Sequence, residues 1–242
     1  MEVHHHPTVE KKAFKEYFLE FIMIFLAVTL GFFAESLREN ISNREHAKLL
    51  TEQLAKDMQS DTLHLQEIID IEAIQKNKID TLFFLLQQPI AKTDMITIQR
   101  LMVDSWSIKL FHAASGSMLA IEKELSIKQF SKSQMPELIA GYEALVNLNK
   151  EVENLILRMG EKDLESFFYA HFTPQNIHEL FNGSVPMINN KMRNVVQNDF
   201  DELSVRLELM QAIILGLIQN DKKLKEAAVN IIAYVRKQYD LE

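Results

Sequence analysis

Cysteine is absent from all 242 residues, which removes disulfides, thiolate nucleophiles and cysteine-type zinc sites together. That fits an oxidising compartment without requiring one. Glycine (6) and proline (5) are nearly as scarce, while 47% of the chain is hydrophobic. A chain so poor in turn formers suits long helices more than sheets. There is no basic run and the formal net charge is −8, so nucleic acid is not expected as a partner. No Gly-x-Ser-x-Gly elbow, phosphate loop, dinucleotide fingerprint or His-Glu-x-x-His motif occurs. No catalytic residue, metal ligand or cofactor is therefore assigned.

What the chain does have is one long apolar run near its start. Positions 21 to 34 carry no charge, and extending to 14–37 reaches the ~20 residues that cross a bilayer. The extension includes Lys15, Glu16, Glu20 and Glu35. Lys15, Glu16 and Glu35 can sit at headgroup depth, but Glu20 lies about one turn inside, where a lone carboxylate is expensive. A secretory signal has its basic region in Lys11, Lys12 and Lys15, yet Gly31-Phe-Phe-Ala34 places aromatics where a peptidase needs small side chains. A buried soluble helix is disfavoured by Phe14, Phe18, Phe21, Phe25, Phe32 and Phe33 crowding one segment. The run thus reads as an uncleaved transmembrane helix, with lipid as its first partner. Basic residues balance across it, so only the short N-tail favours a C-terminal domain outside the membrane.

At ~100° per residue, Glu20, Ala27, Gly31 and Arg38 fall on one stripe with Ala34 beside it, while the phenylalanines cluster opposite. Small residues spaced as Ala27-x-x-x-Gly31 let helix backbones approach closely. Glu20, Ala27, Gly31, Ala34 and Arg38 are accordingly the expected homo-oligomer interface. A ring of Glu20 side chains in such an assembly offers a second reading, an ion pathway.

Four segments follow: a disordered tail at 1–13, the span at 14–37, a stalk helix at 38–90 and a helical bundle at 91–242. Ala47, Leu50, Leu54, Met58, Leu65 and Ile69 recur near the helical period, and Leu82 to Leu86 reads as the entry into a core before Pro89. Thr93-Asp94 can cap a helix over 94–105. Ser105 to His112 alternates and reads as extended or irregular. Ser115-Gly116-Ser117 is a turn and cap for a helix through Leu125. Ser133 and Pro136 open a helix with the stripe Leu138, Tyr142, Leu145, Asn149, Val152, Ile156 and Met159, ended by Gly160. Asn149 on that stripe either fixes register or marks an exposed turn. Thr173-Pro174 begins a short helix closed by Asn182-Gly183. The last segment is a heptad of Phe200, Leu203, Leu207, Met210, Ile214, Leu217, Leu224, Ala228, Ile231 and Val235, broken at Asp221.

Two sets of histidines invite a metal reading. His171 and His178 lie one heptad apart near Glu161, Asp163, Glu165 and Glu179, but Thr173-Pro174 interrupts the helix between them, which favours structural or surface roles. His4-His5-His6 before Pro7 reads as a solvated tail. His64 and His112 carry no signal.

Tyr17, the Glu20 that leads the apolar run, Ala27, Gly31 and the exit Arg38-Glu39-Asn40 resemble an uncharacterised family of single-pass inner-membrane proteins of Bacteroidota. The long acidic helix and the Phe111 to Ser117 turn, followed by Leu138 and Tyr142, are similar too. Where that family carries Trp before the exit acid, this chain has Leu37. The resemblance implies a membrane-anchored helical protein and supplies no catalytic residues.

The expected fold is all-α: a transmembrane helix continuing into a stalk, then an antiparallel, coiled-coil-like bundle. The expected function is a homo-oligomeric scaffold or sensor in a bacterial inner membrane. Its C-terminal domain would be periplasmic, with another membrane or periplasmic protein as a further partner. The rivals are an ion-conducting or force-coupling assembly using Glu20, and a membrane-tethered metal-dependent enzyme.

Overall fold

A computed structural model of the chain describes residues 14–105, 108–124, 130, 133–182 and 192–239. Every regular element among them is helical, so the fold is all-α. The longest element is α1, Phe14–Leu86, a single helix of 73 residues. Its continuity follows from composition: neither glycine nor proline occurs from Phe32 to Gln88, so no residue before Pro89 disrupts the ladder. The chain divides into two compact units, 1–49 and 50–242.

The first unit holds the apolar part of α1. Its most apolar stretch has a mean hydropathy of 2.1 and is 0% buried. Phe14, Phe18, Phe21, Phe25, Phe32 and Phe33 are all exposed. This helix is long and apolar enough to span a membrane, a criterion that an N-terminal signal sequence also meets. The tail at 1–13, with His4 to His6, lies outside the described residues.

The second unit is a helical bundle. After α1 come α2 (Met95–Ser105), α3 (Gly116–Lys123), α4 (Met135–Met159), α5 (Glu165–His171), α6 (Pro174–Asn182) and α7 (Gln197–Tyr239). The ends are set locally. Asp94 caps α2, its Oδ1 accepting the N–H of Ile96 at 3.1 Å. Thr173 and Asn176 cap α6 reciprocally: Thr173 Oγ1 accepts the Asn176 N–H at 3.0 Å, and Asn176 Oδ1 accepts the Thr173 N–H at 2.9 Å. Ser115 takes the N-cap position of α3, but its side chain makes no capping bond. Its carbonyl accepts the Leu119 N–H at 3.0 Å instead. Residues 108–115 carry no regular element, as the alternating pattern there suggested. Leu125, Trp106 and Gly183 lie outside the described residues.

Long-range hydrogen bonds fix the directions. Gln87 with Ser204, Asp80 with Gln211 and Gln66 with Lys225 tie α1 to α7. Rising numbers on one helix meet falling numbers on the other, so the pair is antiparallel. Tyr234 Oη accepts the Gln134 N–H at 3.1 Å and Arg206 donates to Ser166 at 2.9 Å, which sets α4 and α5 antiparallel to α7 as well.

Every apolar heptad position on α7, from Phe200 to Val235, is buried. Elsewhere the structure departs from the sequence pattern in three ways. Burial along α1 in this unit starts at Thr51 and includes Leu54, Met58, Leu65 and Ile69, far ahead of Leu82. Most of the expected stalk is therefore core. On α4 the buried face is Met135, Ile139, Tyr142, Asn149, Glu153 and Ile156. Tyr142, Asn149 and Ile156 of the expected stripe hold this face, while Leu138, Leu145, Val152 and Met159 are half-buried on its flanks. Gly160 ends the α-helical ladder, as expected, but not the helical path. It sits in ordinary right-handed geometry at φ −56°, and a π-turn over Gly160–Leu164 leads straight into α5.

One continuous apolar cluster fills the end of the bundle where α1 finishes. It runs from Ile69, Ile79, Leu82 and Leu86 on α1 through Ile98 and Met102 on α2 to Phe200–Ile218 on α7. Further buried residues line the other end: Leu54, Met58 and Leu65 on α1, Ile139 and Tyr142 on α4, and Leu224, Ala228 and Ile231 on α7. Each such side chain contributes roughly 1.5–3 kcal/mol by leaving water. Polar residues occupy the level between these stretches.

Candidate functional site

At that middle level three helices turn carboxyl groups inward. Glu72 on α1 is 2% exposed, Glu153 on α4 5% and Asp221 on α7 0%; Asn149 on α4, 1% exposed, joins them. Acids are almost never fully buried without a cation or a metal beside them. Among the described residues no lysine or arginine is buried at this level: Lys150, one turn before Glu153, is exposed, and its charge reaches Glu153 only as a weak field.

The acids differ in their partners. Glu153 Oε1 accepts the Phe111 N–H at 2.7 Å and lies 3.5 Å from the Asn149 amide nitrogen. Burial raises its pKa, opposed by that N–H and by the nearby His112 and Lys150. Glu72 and Asp221 face each other across α1 and α7. Apart from Glu72, Asp221 and the Asn149 amide acting on one another, no described residue donates to Glu72 Oε2 or to either carboxyl oxygen of Asp221, and the amide oxygen of Asn149 likewise meets no donor. Burial first, and then the adjacent Asp221 charge, push Glu72 up to about 9. Burial also raises Asp221, to about 6, with Glu72 and Asn149 pulling the other way. Both carboxyls are thus pushed above the usual carboxylate range by burial, which favours one proton held between Glu72 and Asp221.

A second buried acid has conventional partners. Asp61 on α1 is 2% exposed. It accepts the hydroxyl of the fully buried Tyr142 at 2.7 Å and the Ala114 N–H at 3.1 Å. The loop after α2 thus supplies backbone donors to both Asp61 and Glu153. Burial is the largest influence on Asp61 and raises it, while Tyr142 and Ala114 pull it down. Burial and the Asp61 charge hold the Tyr142 phenol well above its ordinary range. Gln75, one turn beyond Glu72, donates to the Ser105 carbonyl at 2.6 Å.

The residues singled out from sequence are placed differently. Glu20, Ala27, Gly31, Ala34 and Arg38 are all exposed on α1. A Cβ at Gly31 would meet nothing within 4 Å, and Arg38 pairs with Glu35 at 2.5 Å along the helix. His171 faces the Arg193 carbonyl at 2.9 Å and Asp199 at 3.7 Å, whereas His178 is exposed on α6. No three His, Asp or Glu side chains among the described residues are grouped as a metal site requires. Glu72, Glu153 and Asp61 gave no signal in sequence. Asn149 and Asp221 did, as polar residues on apolar seams.

A cleft of about 1060 Å³ opens beside α5 and α6, walled by Val103, Phe168, Tyr169, Phe172 and Ile177. Its Lys78 and Asp104 pair with each other at 2.8 Å.

Compared with family models, curated proteins and solved structures, the chain has no match.

Proposed function

We propose that this chain is a membrane-anchored, homo-oligomeric scaffold or sensor of a bacterial inner membrane, with its bundle on the periplasmic side. The Bacteroidota resemblance is part of the same reading. The observation that carries it is the division of labour along α1. One uninterrupted helix holds an apolar run with no buried face and, further on, core residues of the bundle. An unburied run of that hydropathy needs lipid around it. A removable leader would instead end in a small-x-small cleavage site.

Self-association is proposed through Glu20, Ala27, Gly31, Ala34 and Arg38. The small residues Ala27, Gly31 and Ala34, all exposed on α1, support a face that a second helix can approach closely.

The test is fractionation followed by native mass spectrometry. The full chain should stay in the membrane pellet after an alkaline wash and leave it only with detergent. In detergent it should run as an oligomer that Gly31→Leu weakens. Recovery of folded protein in the soluble fraction ends the membrane reading, and an unchanged oligomer in the variant ends the assignment of that stripe.

A further inference from the structure

We propose that Glu72 and Asp221 form a proton-binding site: one proton is held between the two carboxyls, and its release drives α1 and α7 apart at the middle of the bundle. This deepens the sensor reading, on which it rests, by naming the signal as proton concentration.

The geometry carries it. Two acids from different helices, 2% and 0% exposed, face each other, and among the described residues no group outside this layer donates to Glu72 Oε2 or to the Asp221 carboxyl. A neutral side chain at the same level, Asn149, is 1% exposed and likewise holds an amide oxygen with no donor. The layer is therefore short of hydrogens, and a positively charged or hydrogen-donating ligand is what it lacks. A metal would need a third ligand, and no such grouping exists among the described residues. A proton needs only two oxygens.

The surroundings add no compensating charge. From α4 the pair is faced by Glu153 and Asn149, with Lys150 one turn before Glu153; from the loop after α2, His112 acts on Glu153. On α1 the neighbouring polar group is Gln75, whose amide N–H donates to the Ser105 carbonyl and whose amide oxygen meets no donor. Glu153 acts on both acids from α4 as a further negative charge, so ionising the pair completely is costlier still in a low-dielectric interior. Two of the helices concerned, α1 and α7, are the antiparallel pair that spans both apolar halves of the core.

The sign follows from proton counts. A free glutamate ionises near its ordinary 4.5, and the buried Glu72 near 9. Between those values the folded state holds a proton that the unfolded state has lost, so stability falls as pH rises. Glu72→Gln keeps the size and donates permanently through its amide, which removes that proton from the balance.

The experiment is unfolding of the full chain in detergent between pH 5 and 8.5, wild type against Glu72→Gln, together with carbon NMR of the glutamate carboxyls. The folding constant of the wild type should drop relative to the variant by about tenfold per pH unit, and one glutamate carboxyl should remain protonated at neutral pH. The NMR signal, read on the wild type, decides the matter even if the variant fails to fold. A pH-independent ratio, or full ionisation of every glutamate carboxyl by pH 6, overturns the proposal. So does stabilisation of the wild type by sodium or calcium at fixed pH and ionic strength, which would make the ligand a metal cation. Membrane retention is read separately, so the anchor and the proton site can fail independently.

Discussion

Removing the Tyr142 hydroxyl isolates one buried bond with little else disturbed. The phenol donates to Asp61 Oδ2 at 2.7 Å, and both side chains are almost wholly inaccessible. Tyr142→Phe keeps the ring in its place and leaves the carboxylate with the Ala114 N–H alone. A hydrogen bond to a charged group contributes about 1.5–3 kcal/mol. Water cannot easily replace the lost donor at a site 2% exposed, so a loss of about 2 kcal/mol is expected. In urea this moves the midpoint by roughly 0.5–1 M for a bundle of this size. Urea titration of the full chain in detergent, followed by far-ultraviolet circular dichroism, measures it. The tyrosine holds the Asp61 pKa down against burial, so its removal raises that pKa further. The deficit is thus full at neutral pH and shrinks in acid as the carboxyl protonates. Combining Tyr142→Phe with Asp61→Asn should cost less than the two separate losses added together. A single-variant loss below about 0.5 kcal/mol at neutral pH, or strict additivity, refutes the view that this bond holds α1 to α4.

Two further predictions concern packing and capping. Leu207→Ala, at a site 0% exposed on α7, should cost about 2–5 kcal/mol. The same change at Leu209, 57% exposed on the same helix, should stay within about 0.5 kcal/mol in the same urea titration. Thr173→Ala removes half of the reciprocal cap on α6 and should cost about 1 kcal/mol, with faster amide exchange confined to the first turn of that helix.

The parts legible in sequence were those written in a single stretch of chain. α7 carries its heptad over 43 residues, and the apolar run on α1 needs only composition. Asn149 and Asp221 stood out because each interrupts an apolar seam. Their partnership did not, since Glu72, Asn149, Glu153 and Asp221 lie on three helices and no local period joins them. Glu72 sits among the acids and lysines of a polar-looking helix, where nothing separates an inward carboxylate from a solvated one. Glu153 was hidden for a different reason. It faces inward because an irregular loop presents the Phe111 N–H, and backbone donors leave no mark on side-chain pattern. Of the stripe read from Leu138 to Met159, Tyr142, Asn149 and Ile156 face the core and the remaining four lie at its edge. The stalk was overextended because period alone cannot distinguish a helix that packs against its own chain from one that awaits a partner.

The π-turn at Gly160–Leu164 gives the trunk formed by α4 and α5 two phases. A surplus residue in a helical ladder advances everything beyond it by about 100°, so Leu164 and Phe167 enter the apolar cluster on a bearing that α4 alone does not dictate. Moving that surplus beyond Phe167 would return both side chains to the phase of α4 while the trunk stays hydrogen-bonded. The joint thus decouples the aim of one segment from the other, and substitutions in α4 can drift without dragging α5 off its target.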